Sequence, residues 1–202
     1  MINEKPSSTT RAELKEQRRN ALLRGALAEF NEKGFRGAST RAITSAAGIS
    51  SGLLFHYFAS KEELYEELVR IGCEEMEVDP AAGLGDPLGF LNGMVDRVLA
   101  LLGASPSASA MFTFMARAER TPGISAVADQ LLSEHEVMRV LVPTLAEGQR
   151  VGVVRPGAPE ALALAFWSAL QGLAEAVAVS PLVPLPEADW LLSIVRHPES
   201  GK

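Results

Sequence analysis

The sequence predicts an all-α protein. In most segments the apolar residues recur at spacings of three and four, which is the period of a helix packed on one side. No stretch shows the sustained alternation of a half-buried strand, and glycine or proline residues separate the periodic segments. With 202 residues, 47% of them apolar, the chain has enough apolar material for a core and too much for dominant disorder.

The first helix is predicted to begin near Arg11, after a polar tail of ten residues that we expect to be mobile. One face of this helix is apolar, and arginine and glutamate residues fill the other. Gly34 ends the helix, because glycine adopts the left-handed conformation of a helix C-terminus without penalty. The apolar face consists of Leu23, Ala26, Leu27 and Phe30.

Two short helices follow, Thr40–Ala47 and Ser51–Phe58, joined by a turn at Gly48-Ile49-Ser50. Ser39 is a suitable N-cap for the first of them. Two short helices joined by a tight glycine turn are typical of a helix-turn-helix, whose second helix lies in the major groove of DNA. A fourth helix begins at Ser60, where Glu63 completes a capping-box pattern.

The chain beyond the fourth helix remains helical in pattern. Residues 78–87 are rich in glycine, proline and aspartate and are predicted to form a loop. Glycine and proline borders then separate five predicted helices, which cover residues 88–103, 107–120, 122–148, 158–179 and 187–196.

Charge is distributed unevenly along the chain. The net charge is −6, which taken alone argues against a nucleic-acid partner. Residues 1–61, however, hold ten basic and five acidic side chains, whereas the remaining residues hold 9 basic and 20 acidic ones. The asymmetry favours a basic N-terminal part that approaches DNA and an acidic part with another task. Solvated helix faces that differ in sign by chance are the alternative.

Several classes of protein are not expected. A single cysteine, Cys73, forbids an internal disulfide, and the three histidines lack metal-ligand spacing, so we expect no metal and no cofactor. The polar N-terminus is not a signal peptide, and no uncharged apolar run is long enough to span a bilayer. These features indicate a cytoplasmic protein without a membrane segment. Motifs of metalloproteases, phosphate loops and serine hydrolases are absent, so an enzyme is not expected.

Three blocks of the sequence resemble the TetR family of bacterial repressors. They are "ALAEFNEKGF" from Ala26, "AITSAAGISSGLLFHYFASKEEL" from Ala42 and "GVVRPGAPEALALAFWSALQGL" from Gly152. The resemblance implies a three-helix helix-turn-helix DNA-binding domain over residues 1–60. It also implies a helical ligand-binding and dimerisation domain over residues 61–202.

The resemblance also implies which residues contact DNA. Residues at the start of the second helix touch phosphates or bases, the first residues of the third helix face the bases, and three further positions grip the DNA backbone. Arg41 is suited to a bidentate contact with guanine or to a phosphate. The three groups are Ser39, Thr40 and Arg41; Ser51, Gly52 and Leu53; and His56, Tyr57 and Lys61.

The chain departs from the family pattern at three positions. Leu53 stands where a threonine is usual, which favours apolar contact with a thymine methyl group over a hydroxyl contact. Phe55 replaces a tyrosine and loses a hydrogen bond to phosphate. Gly25 replaces an alanine within the first helix, at a cost of up to ~1 kcal/mol in helix propensity.

The C-terminal part contains a cluster of methionine and aromatic residues that is either plain core or the wall of a ligand site. Helical periodicity separates Phe112 from its neighbours and places Met111, Phe114 and Met115 on one face. If the helices bundle as in the family, three other side chains share that space. The predicted ligand pocket is Phe90, Met94, Met111, Phe114, Met115 and Trp167.

The segment 158–179 is apolar on all sides, so it must be buried on more than one side. Small residues along it are suited to close packing against a partner subunit, together with the last predicted helix. The predicted dimer interface is Ala165, Ala169, Gly172, Ala176, Trp190 and Ile194.

The sequence therefore predicts a homodimeric transcriptional regulator that binds a pseudo-palindromic operator in double-stranded DNA. We expect a repressor that a small-molecule effector releases from the operator. The alternative is a ligand-binding or interaction protein of the same fold whose DNA binding is altered or lost.

Overall fold

The computed structural model describes residues 10–77, 79, 81–104 and 106–198. Apart from an antiparallel bridge between Val154 and Arg196, this part of the chain contains helices and turns and no β-structure. The all-α prediction is confirmed. Except for Thr10, the predicted N-terminal tail lies outside the described residues.

Two compact units divide the chain, residues 1–68 and 69–202. The sequence predicted a boundary between the two domains after residue 60 instead. Residues 61–68 belong with the first unit because their side chains pack there. Tyr65 meets Phe30 edge to face with ring centroids 5.6 Å apart, Leu64 is fully buried, and Glu67 pairs with Arg19. We call the first unit the head and the second unit the body.

The head contains α1 (Arg11–Gly37), α2 (Thr40–Ala46), α3 (Ser51–Leu54) and the first half of α4 (Lys61–Glu75). Its core combines the apolar face predicted for the first helix with one or two residues from each other helix. Buried there are Leu22, Leu23, Ala26, Leu27, Phe30, Ile43, Leu54, Phe58, Leu64 and Leu68.

Caps and glycines set the bounds of these helices. Thr10 and Glu13 form a reciprocal capping box at the start of α1. Gly34, with φ 68°, interrupts the helix where the sequence predicted its end. The hydroxyl of Ser60 accepts from the Glu63 backbone N–H at 3.1 Å, whereas the Glu63 carboxylate accepts from Ala59. The capping box predicted for α4 is thus shifted by one residue on its carboxylate side.

Gly25 has a structural reason that the sequence did not reveal. A Cβ atom built at this position would lie 2.8 Å from the carbonyl oxygen of Ile43 and 3.6 Å from the Cβ of Ala46. The backbone of α2 therefore approaches α1 more closely than an alanine allows.

The body contains the second half of α4 and seven further helices among the described residues. They are α5 (Ala82–Gly85), α6 (Pro87–Ala104), α7 (Pro106–Glu119), α8 (Ala126–Glu134), α9 (Met138–Arg150), α10 (Pro159–Val179) and α11 (Ala188–Leu192).

Four predictions of secondary structure were wrong in detail, three in the body and one in the head. The helix predicted over 122–148 is divided into α8 and α9 at His135, whose φ of −105° and ψ of 25° leave the helical region. The short helix α5 lies inside the predicted loop 78–87. The helix α11 of the body is shorter than the predicted segment 187–196. In the head, α3 ends at Leu54 instead of Phe58.

The core of the body is built around α10, which packs against α6, α7, α9 and α11. Ala163, Phe166, Trp167, Leu170 and Ala174 form its buried face. By length and composition alone α10 would also qualify as a membrane span. The apolar composition of α10 is also that of a central core helix, because α10 packs against four helices and leaves one side uncovered.

Candidate nucleic-acid interface

The turn between α2 and α3 is held by backbone and hydroxyl contacts. Gly48 has a positive φ of 66°, and the N–H of Ile49 donates to the carbonyl of Thr44 at 2.9 Å. The Thr44 hydroxyl donates to the carbonyls of Thr40 and Arg41 and lies 3.4 Å from the hydroxyl of Ser51. Thr44 is 1% exposed. It joins the two helices of the motif, a role that apolar periodicity does not reveal.

The predicted DNA-contacting residues lie at the solvent-facing surface of this motif. Five are exposed, namely Ser39, Arg41, Ser51, Gly52 and His56. Thr40, Leu53, Tyr57 and Lys61 are half-buried. Phe58 is buried in the core, whereas Phe55 is 59% exposed.

Lys61 has a different environment from the one expected of a phosphate contact. Its Nζ donates to the carbonyl oxygens of Phe35 at 2.8 Å and Ala38 at 2.9 Å, and it lies 4.4 Å from the centroid of the Phe35 ring. Within the head, Lys61 therefore holds the connection between α1 and α2.

The start of α2 is fixed from a second side by Glu29. One carboxylate oxygen of Glu29 accepts from the backbone N–H of Ser39 at 3.3 Å, and both oxygens accept from Lys33 Nζ at 3.0 Å. The hydrogen bond from Lys33 is the main cause that lowers the pKa of Glu29, and the Ser39 N–H adds to it against the opposing effect of burial. The Ser39 hydroxyl in turn caps α2 by accepting from Ala42 N at 3.1 Å.

A cavity of about 390 Å³ lies in the body. Of the six residues predicted for a ligand pocket, Met94 and Trp167 line it. Phe90, Met111, Phe114 and Met115 do not line it; Phe114 and Met115 are buried in the interior, and Phe90 is half-buried against the core. Phe112, which periodicity set apart, is the residue of that cluster that lines the cavity, with its ring centroid 5.5 Å from that of Trp167.

The outer side of α10 is uncovered. Four of the predicted interface residues are exposed, namely Ala165, Gly172, Ala176 and Trp190. Ala169 and Ile194 are instead half-buried against the core of their own unit. Leu164, which was not among the predicted interface residues, is 61% exposed on the same side as Ala165.

Cys73 is a packed residue of the body, 2% exposed, with its Sγ 3.9 Å from the carbonyl of Leu131. Burial, followed by the charges of nearby glutamates, raises the pKa of its thiol to about 11. Within the described ranges, no group of three or more histidine, cysteine or acidic side chains is arranged to hold a metal ion.

Comparison with known proteins identifies the head. The family described as "Bacterial regulatory proteins, tetR family" matches residues 22–68, which include the whole helix-turn-helix. The head of this chain thus matches the TetR family.

Curated relatives of this chain include the HTH-type transcriptional repressor KstR2 of Mycobacterium tuberculosis. It is 53% identical over 53 residues, which are 26% of each chain. The chain thus matches about a quarter of the length of that relative. KstR2 of Rhodococcus jostii is 37% identical over 103 residues, 48% of this chain and 50% of its own. Both relatives are named transcriptional repressors.

Solved structures show the same fold over most of the chain. The ketosteroid transcriptional regulator KstR2 of M. tuberculosis superposes with a TM-score of 0.65 at 22% identity, covering 89% of this chain and 95% of its own. AibR, solved in complex with isovaleryl coenzyme A and operator DNA, has a TM-score of 0.63 at 18% identity, covering 87% and 94%. The predicted combination of an N-terminal helix-turn-helix with a helical C-terminal unit is confirmed.

Proposed function

We propose that this chain is a cytoplasmic transcriptional regulator that binds a pseudo-palindromic operator as a homodimer and is released from it by a small molecule. The observation that carries the proposal is the helix-turn-helix of the head, whose α2 and α3 begin with exposed polar residues. A surface of this kind reads base edges with the first residues of its second helix. In a dimer, two-fold symmetry sets the two heads roughly 34–36 Å apart or at a multiple of that spacing.

Charge supports DNA as the partner. The first 61 residues carry a net charge of +5, whereas the rest of the chain carries −11. Four glutamates of α4 also belong to the head, Glu62, Glu63, Glu66 and Glu67, so that residues 1–68 carry +1 and residues 69–202 carry −7. Phosphates therefore attract the basic residues up to Lys61 and repel the body, so the head is the part that approaches the duplex. Arg41, exposed at the start of α2, is the residue best suited to a base or phosphate contact.

The uncovered side of α10 supports the homodimer. From Ala161 to Val179 this side is mostly apolar or small, and its one acidic residue, Glu175, pairs with Arg120 of the same chain at 3.6 Å. An apolar stripe of this length is rarely left to solvent. A second copy of the same face is self-complementary under two-fold symmetry.

A ligand acts on such a dimer only through its different affinity for the DNA-bound and free states. The cavity of the body supports a small molecule of drug size. AibR, of the same fold, binds isovaleryl coenzyme A, and KstR2 is named a ketosteroid regulator. Identity to AibR is low and the alignment with M. tuberculosis KstR2 is short, so neither ligand is assigned to this chain.

The test is DNA binding at several salt concentrations. Duplexes covering the DNA that flanks the chain's own gene are titrated with wild-type protein, Arg41→Ala and Arg150→Ala. Wild-type affinity falls steeply as salt rises, because bound phosphates release counterions. Arg41→Ala weakens binding by about tenfold and lowers the salt slope by about one.

Arg150→Ala is the matched control, since it removes the same charge from an exposed position of the body, where Arg150 pairs with Glu147 of the same helix, and leaves binding unchanged. If no duplex binds in a salt-sensitive manner, the alternative of a TetR-like protein without DNA binding replaces the regulator. If Arg41→Ala leaves base preference unchanged while weakening all duplexes, Arg41 is a phosphate contact.

A further inference from the structure

The cavity in the body has an apolar floor. Five buried side chains form it, namely Met94, Val98, Phe112, Val140 and Trp167. A floor of this composition binds aliphatic and aromatic groups through burial of apolar surface. The tilted rings of Phe112 and Trp167 also offer aromatic faces to a cation.

The rim of the cavity is acidic. Five glutamates line it, against two arginines and one histidine, among the described residues. One arginine, Arg139, lies 3.8 Å from Glu136, and the other, Arg97, donates to the carbonyl of Glu77 at 3.3 Å. With the histidine neutral, the rim carries three net negative charges. The glutamates are Glu75, Glu77, Glu119, Glu134 and Glu136.

The pKa values of Cys73 and Glu119 are affected by acidic side chains around the cavity. The pKa of Cys73 is raised first by burial and then by the charges of Glu119, Glu74 and Glu134. The pKa of Glu119 is also raised, again first by burial, with Glu136 acting in the same direction and Arg120 opposing it. The acidic side chains therefore act on the interior of the body beside the cavity as well as on solvent.

Trp167 contributes a directional group. The residue is 7% exposed, and its Nε1 has no acceptor within hydrogen-bonding distance in the described part of the chain. A second cavity of about 360 Å³ shares Glu119, Glu136, Val137 and Trp167 with the first. The indole thus borders both spaces, while its Nε1 is itself shielded from them, so a ligand reaches the N–H only after a small shift of the side chains around it. A buried N–H without an acceptor is costly, and a ligand that supplies one offsets the cost of that shift.

We propose that this cavity selects a compact, largely apolar cation that carries a hydrogen-bond acceptor. Its apolar part lies on the floor, its acceptor takes the hydrogen of Trp167 Nε1, and its positive group faces the glutamate rim. The inference rests on the proposed function for its role as an effector, but the binding itself does not require DNA. A multiply charged anion such as a coenzyme A thioester is repelled by the same rim.

The test uses three 4-butylbenzamides that share the ring and the amide carbonyl. Their N-substituents are 2-(dimethylamino)ethyl, which is cationic, 3-methylbutyl, its neutral isostere, and 2-carboxyethyl, which is anionic at pH 7.5. Binding to the full chain without DNA is measured by isothermal titration calorimetry in low and high salt. The cation is expected to bind at least about tenfold more tightly than the anion in low salt, with the neutral compound between them. The ratio shrinks in high salt because the rim is screened.

Two variants separate the contributions. Glu119→Gln lowers the ratio of cation to anion affinity by about threefold, whereas Glu160→Gln, an exposed change outside the cavity, leaves it unchanged. Trp167→Phe weakens all three compounds by about fivefold without altering the ratio, because it removes the N–H and leaves the charges. Thermal unfolding of each variant checks that it is folded.

Equal or tighter binding of the anion overturns the inference, and so does the absence of binding by all three compounds. A ratio that Glu119→Gln does not change also overturns it. The proposed function is tested separately by adding the cationic compound to a protein–operator complex. Binding in the expected order without release from DNA contradicts the effector role alone, whereas release by a different compound contradicts only the charge selectivity.

Discussion

Glu29 and Lys61 illustrate how charged side chains of the head act on its backbone. Both lie in the blocks that resemble the TetR family, and neither is free at the surface. Lys61 donates to the carbonyls of Phe35 and Ala38, and Glu29 accepts from the N–H of Ser39. Between them they fix the connection from α1 to α2 on both sides. The start of α2, where Arg41 lies, is therefore positioned by charge-assisted hydrogen bonds.

Glu29→Gln is expected to destabilise the protein by about 1 kcal/mol at pH 7, because it removes charge from these hydrogen bonds. The Lys33 hydrogen bond lowers the pKa of Glu29 in the folded state. The stabilisation is therefore present above the pKa of the unfolded state and is lost as pH falls through the lower folded pKa. Urea unfolding at several pH values should show wild type and variant converging as the pH falls through the lowered pKa of Glu29. Glu16→Gln, exposed on the same helix, is the control and should change little; a difference that persists in acid would contradict the assignment.

The methionine and phenylalanine cluster of α7 shows that the spacing of residues does not predict which face of a helix lines a cavity. Periodicity grouped Met111 with Phe114 and Met115 on one face, and the structure has Phe114 and Met115 in the interior. Which face of a helix meets the core and which meets a cavity depends on the neighbouring helices. The side chain of Met115 fills the space beside Gly72 on α4, a contact between segments far apart in sequence.

At the scale of elements, local signals predicted helix starts and stops better than helix continuity. Ser39 and Ser60 cap the helices they were expected to cap, and Gly34 and Gly48 break the backbone at positive φ. The break between α8 and α9 has neither glycine nor proline, although Pro143 lies within α9 without ending it. The division at His135 separates two helices that the sequence pattern had joined.

Gly25→Ala is expected to destabilise the head although alanine is the better helix former. The added Cβ would meet the Ile43 carbonyl at 2.8 Å, and overpacking of about 1–3 kcal/mol exceeds a propensity gain of up to about 1 kcal/mol. Gly93→Ala is the matched control, since nothing lies within 4 Å of its added Cβ on α6. That variant should gain about 0.5–1 kcal/mol. Chemical unfolding measures both, and a stabilising Gly25→Ala would show that α1 and α2 separate easily.

At the scale of the whole molecule, the stretch rich in basic side chains and the exposed apolar side of α10 lie in different units. Residues 1–61 of the head hold ten basic against five acidic side chains, whereas the body holds 9 basic against 16 acidic ones together with the uncovered side of α10. This division suits a protein whose head meets DNA while its body meets a second copy and a ligand.

Leu164→Glu is expected to convert the proposed dimer to monomers, because it introduces a charge into the uncovered apolar side of α10 at a residue 61% exposed. Leu84→Glu introduces the same charge at a residue 51% exposed on α5 and should leave the dimer intact. Sedimentation velocity over a range of concentrations distinguishes the two. A wild-type chain that sediments as a monomer, or a Leu164→Glu variant that remains dimeric, would reject this interface.

The sequence by itself determined the all-α class, the helix-turn-helix with its caps and turn, and the uneven charge, since these depend on residues close together in the chain. Apolar periodicity, capping serines and positive-φ glycines act within a few residues, so they can be read without a fold. Only the tertiary structure showed that Lys61 donates hydrogen bonds to backbone carbonyls, that Gly25 lets α2 pack closely against α1, and that Phe112 lines the cavity. These outcomes depend on contacts between distant segments, because the packing of neighbouring helices determines what each side chain faces.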